Sequence, residues 1–97
     1  MLHIVNKSPH ERSCLASCLA HARAGHAVLL IEDAVVAATR GSAATIAALP
    51  SGVSLYVLAP DLQARGLASQ LAEGIQDIDY RGFVDLVAAQ PRVQSWL

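Results

Sequence analysis

Charge is what this sequence has least of. Asp, Glu, Lys and Arg make up 15% of its 97 residues, where an ordinary soluble domain carries about 25%. Seven basic residues stand against eight acidic ones, for a formal net charge of −1, so there is no basic surface of the kind that holds a nucleic acid directly. Long hydrophobic runs are missing as well. Although 54% of the residues are apolar, no uninterrupted apolar stretch exceeds five, and a membrane-spanning helix needs about 20. The surplus that gives a mean hydropathy of +0.40 is therefore expected at a buried subunit interface rather than in a bilayer. The opening MLHIV has neither the basic residues nor the long apolar core of a secretory signal, which predicts a cytoplasmic protein. No internal repeat, low-complexity tract or linker divides residues 1–97, a length suited to a single domain.

The element around which the chain is organised is Ala27 to Asp33, AVLLIED. Five apolar residues without alternation fit a strand buried on both faces, as in a parallel sheet covered by helices. Leu2–Asn6 is a second short apolar segment. Between them lies a helix-length crossover whose start is marked by Ser8 as cap, Pro9 at the first position and Glu11 where a capping box wants its acid. That helix is expected to run to about Ala24, ended by Gly25, with Leu15, Cys18, Leu19 and Ala22 as its core-facing stripe. Cys18 then sits on the flank of the stripe, and Cys14 further round toward solvent. Alanine-rich helices are expected at Ala34–Arg40 and Ser42–Leu49, strands at Val53–Leu58 and Ile75–Ile78, a short helix opened by Pro60-Asp61, and a last helix capped by Asp79 and stopped near Gln90 by Pro91. Alternating strands and helices predict a three-layer α/β/α domain with a mostly parallel sheet of four to five strands. In such sheets ligands gather beyond the carboxyl ends of the strands, here marked by Asn6–Lys7 and Glu32–Asp33.

Candidate chemistry is sparse. Cys14 and Cys18 lie four apart on one helix, which is neither a redox C-x-x-C nor a staple across a loop, so no structural disulfide is expected. His10, Cys14, Cys18 and His21 share one side of the helical wheel. Neighbouring imidazoles can favour a thiolate, but one straight helix cannot wrap four ligands tetrahedrally, so neither a metal nor another cofactor is expected. Cys18 taken alone reads as a small buried apolar residue. Asp33 is expected to cap the helix that follows it, and Arg65 to pair with Asp61 one turn earlier. Lys7 stands where a phosphate loop would be, but without the glycines.

Five blocks in order, LHIVNKSPHERSCLASCL, VLLIEDAVVAA, DLQARGL, IDYRGFVDL and QSWL, resemble the DsrH/TusB family over nearly the whole chain. The resemblance implies a small α/β subunit of a sulfurtransferase complex, a dimer of heterotrimers built with DsrE/TusD-like and DsrF/TusC-like partners. Such complexes relay persulfide sulfur from a TusA-like donor to a DsrC/TusE-type acceptor, for 2-thiouridine formation at the tRNA wobble position or in dissimilatory sulfur oxidation. Cys18 falls where DsrH-type members have their cysteine, which makes it the candidate persulfide-accepting or auxiliary thiol. Cys14 matches no assigned position. The principal sulfur-carrying cysteine of these complexes is implied to lie on the DsrE/TusD subunit. Two roles stay open for this chain, a subunit whose Cys18 takes part in transfer and a purely structural subunit without thiol chemistry of its own.

Overall fold

The computed structural model describes residues 1–7, 14–39 and 49–96. Five parallel strands form one sheet in the order β4-β3-β2-β1-β5: β1 (Leu2–Val5), β2 (Ala27–Leu30), β3 (Ser54–Leu58), β4 (Gln76–Ile78) and β5 (Val93–Trp96). The α/β class and the parallel sheet are those expected. The central position of β2 is too, and its alternate residues feed two cores. Val28 and Leu30 join Val5, Leu55 and Val57 on one face. Ala27 and Leu29 join Leu2 on the other.

The topology follows from the right-handed crossover rule. From β1 to β4 the chain steps in one direction across the sheet, and its connecting helices cover the first face. These are α1 (Cys14–His21), the 3-10 helix Glu32–Ala38 and α2 (Ala59–Ala64). The connection from β4 back to β5 on the far side of β1 runs in the opposite direction. It carries α3 (Tyr80–Ala89) to the second face, where Phe83, Leu86 and Val87 pack against Leu2 and Leu29.

Several details differ from expectation. The central strand stops at Leu30 rather than continuing through Asp33. The segment expected as an alanine-rich α-helix is instead the 3-10 helix, with Ile31 rather than Asp33 in the capping position and no side-chain cap of its own. The cause is packing. In a helix of three residues per turn, side chains at i and i+3 eclipse one another, so Ala34 with Ala37 and Val35 with Ala38 make two buried edges. The tighter helix suits small side chains pressed on the sheet. The first helix ends at His21, before the expected Ala24, and the Arg23 guanidinium supplies donors to the carbonyls of Ala20 and Ala22 at that end. Gly25 does take the left-handed conformation, at φ 89. Asp79 caps α3 as expected, accepting the Gly82 N–H at 2.8 Å. The fifth strand is QSW with its preceding Val93, an edge strand that is exposed over three of its four residues and so lacks the apolar pattern that marks a strand in sequence. The start signals Ser8, Pro9 and Glu11 and nearly all of Ser42–Leu49 lie outside the described residues, as do His10 and the side chain of Cys14.

Candidate functional site

The carboxyl rim holds a surface network rather than an open acid–base pair. Glu32 takes a left-handed φ of 50, which turns its backbone N–H toward the Asp61 carboxylate at 2.7 Å. Arg65 does not pair with the Asp61 carboxylate, as its spacing suggested. Its Nη2 meets Asp33 Oδ1 at 2.9 Å and its Nη1 meets the Asp61 carbonyl at 3.2 Å. Asp61 is occupied in capping the 3-10 helix from α2, and this leaves Arg65 to Asp33.

Cys18 lies in the first core with 0% of its surface exposed. Burial pushes its thiol up to about 12, since a thiolate among Leu15, Leu19 and Val5 would lose its hydration, and no cation among the described residues replaces it. Of the two histidines on that side of the wheel, His21 is the one among the described residues, and it does not act on this thiol. His21 turns its ring away, donating from Nδ1 to the Ser17 carbonyl at 2.8 Å and lying 5.4 Å from the Trp96 ring.

A second polar cluster sits at the opposite edge, by the amino ends of β1 and β2. A cleft of about 340 Å³ is lined by Met1, His3, His21, His26, Gln94 and Trp96. His3 alternates onto the inner face of β1 and is 2% exposed. Its Nδ1 accepts from the Trp96 indole N–H at 3.1 Å, and its Nε2 lies 3.0 Å from His26 Nδ1. His26 Nδ1 also accepts the Arg23 backbone N–H at 3.1 Å. The tautomers follow from partners that can only donate. An indole N–H leaves His3 Nδ1 bare and a backbone N–H leaves His26 Nδ1 bare, so His3 carries its proton on Nε2 and passes that hydrogen bond to His26. Desolvation first, then the positive potential of its neighbours, holds both imidazoles below the usual histidine value. No group of three or more His, Cys, Asp or Glu among the described residues is arranged to hold a metal ion.

Sequence reading marked His21 but missed His3, His26 and Trp96 as a set. A histidine inside the apolar LHIV and one just before AVLL were the available signal, since an imidazole on a buried strand face must find partners. The partner on β5, 93 residues away from His3, was visible only in the folded chain.

A family model described as DsrH like protein matches residues 7–93. The chain belongs to the DsrH family. As a member it is 40% identical over 96 residues to Protein TusB of Erwinia tasmaniensis and 38% identical over 96 residues to Protein TusB of Pectobacterium parmentieri, covering 99% of this chain and 100% of each relative. Among solved structures it is similar to the ychN protein from E. coli, with a TM-score of 0.74 and 16% identity over 97% of each chain. Protein Tm0979 from Thermotoga maritima gives a TM-score of 0.68 and 21% identity, over 95% of this chain and 97% of that one. At such identities the structural likeness speaks for the fold alone.

Proposed function

We propose that this DsrH-family chain is a subunit of a cytoplasmic, heteromeric sulfur-relay complex that passes persulfide sulfur from a TusA-like donor to a DsrC/TusE-type acceptor, and that it serves 2-thiouridine formation at the tRNA wobble position. The end-to-end likeness to relatives described as Protein TusB favours the tRNA branch over dissimilatory sulfur oxidation. A whole-chain match is also what a single DsrH/TusB-like domain over 1–97 requires. DsrE/TusD-like and DsrF/TusC-like subunits complete the complex, a dimer of heterotrimers.

The observation that carries the division of labour is the burial of Cys18. Persulfide exchange needs a thiolate to attack the outer sulfur of the donor persulfide, forming a new S–S bond while the donor leaves as thiolate. A wholly buried thiol pushed up to about 12 supplies neither the anion nor the access. In this reading Cys18 packs the core, the sulfur-carrying cysteine is on the DsrE/TusD-like partner, and this chain completes and positions the assembly.

Exposed apolar surface supports that role. No residue of α3 is buried, and Tyr80 and Val84 are 60% and 65% exposed. A strain lacking the gene should lose wobble 2-thiouridine, measured by nucleoside mass spectrometry, and Cys18→Ser should restore it. Failure of Cys18→Ser to restore thiolation while the complex still assembles would return Cys18 to the relay as a persulfide-accepting thiol. Unchanged thiolation in the deletion strain, with lost sulfur oxidation, would place the chain in the other branch.

A further inference from the structure

The run of hydrogen bonds from Trp96 through His3 to His26 ties the last strand to the body of the sheet, and its chemistry makes that tie conditional. Each bond has one allowed direction. The indole N–H donates to His3 Nδ1, His3 Nε2–H donates to His26 Nδ1, and the Arg23 backbone N–H donates to the same His26 nitrogen. No lone pair in this chain is left over at His3 Nδ1 or His26 Nδ1. A proton arriving at the first must expel the indole, and a proton arriving at the second must expel both of its donors, because an imidazolium only donates.

The strand so held has few other anchors. β5 pairs with β1 alone, at the edge of the sheet. Val93, Gln94 and Ser95 are exposed, and Trp96 is the one β5 side chain packed against the core. We propose that the Trp96–His3–His26 chain is a proton-operated latch: with both imidazoles neutral it holds β5 on β1 and narrows the cleft, and uptake of a proton releases the indole and loosens β5.

The surroundings favour such release. Among the described residues, the groups acting on the pair are the Met1 amino group before β1, Arg23 in the α1–β2 turn and His21 on α1. None of these is an acid, and no carboxylate is among them. An imidazolium formed here meets repulsion rather than a counter-ion, so it gains by moving toward water. The device differs from the sulfur-relay role proposed above and stands without it, since it rests on the geometry of one edge strand.

The chain has a single tryptophan, so its indole reports on the latch directly. The full chain labelled with ¹⁵N, with unlabelled partners if it requires them, is followed by NMR from about pH 8 down to about pH 5, the range in which histidine titrates. The ring nitrogens of His3 and His26 should titrate together, and at the same midpoint the protection of the β5 amides should fall about tenfold while that of β2 and β3 is kept. The tryptophan emission should move to longer wavelength at that midpoint. His3→Gln, whose carboxamide can accept from the indole and donate to His26 without taking up a proton, should keep β5 protected throughout. His21→Gln should retain the wavelength shift, because a nearby imidazolium quenches intensity and does not solvate the indole. Titration of both rings with β5 protection unchanged would overturn the latch, and so would loss of protection in all strands together or a shift abolished by His21→Gln. If His3→Gln does not fold, the measurements on the parent chain decide by themselves.

Discussion

A thiol and two imidazoles show how the folded surroundings set the chemistry of single side chains. Cys18 is sealed in the core and its thiol is pushed up to about 12. An alkylating reagent at neutral pH should therefore modify it only after denaturation, as read by peptide mass spectrometry, and rapid labelling of the native chain would show that the helix opens. Cys18→Ser should cost about 1–3 kcal/mol, because the hydroxyl leaves water for an apolar setting. For His3 and His26 the sign of the pH effect is set by their lowered values. Both bind a proton less readily in the folded chain than unfolded, where the ordinary value is 6.5. The stability linked to them is complete above that value and is lost as pH falls through their lower folded values. The urea midpoint should fall between about pH 7.5 and pH 5.5, and by less in His3→Gln.

At the scale of elements, two carboxylates cap helices by different routes, and the difference explains what could be read beforehand. Asp79 caps its own helix, accepting from Gly82 three residues on. Local spacing suffices to see that, and Asp79→Ala should lose about 1 kcal/mol in chemical denaturation. Asp61 accepts the Glu32 N–H from 29 residues away, and no local pattern announces such a bond. Asp61→Ala should cost about the same or more, with the loss accompanied by weaker protection of the 3-10 helix in hydrogen exchange. Gly52 offers a third check. It sits at φ +82, and an added Cβ would lie 2.8 Å from the Ala24 Cβ, so Gly52→Ala should destabilise through both backbone strain and a clash. A parent-like midpoint would mean that the turn can move.

For the whole molecule the composition carries the most weight. Few charges and many apolar residues suit a domain with a second buried surface, and Tyr80, Val84 and Val93 are exposed at 60%, 65% and 45%. Two of them project from α3, whose other face covers the sheet. Produced alone, the chain should self-associate at tens of micromolar, and Val84→Asp should reduce that association in light scattering while leaving the circular dichroism unchanged. A parent chain that stays monomeric would argue that its apolar surface is not made for partners.

By itself the sequence determined the layers and the central strand, because AVLLI must be buried on both faces and the helix-length segments between strands leave only crossovers to connect them. It also determined the family, through blocks spread along the whole chain. Only the tertiary structure decided the partners of polar groups whose bonds reach across the chain. Asp33, Asp61 and Arg65 took partners other than those local spacing suggested, and Asp61 reached Glu32 instead. The exposed β5 carried no apolar pattern to mark it, and His3 found Trp96 at the far end of the chain. Hydrophobic burial is a property of short runs and can be read along the chain. A hydrogen bond depends on a few tenths of an ångström between residues far apart in sequence, and that distance exists only once the sheet has formed.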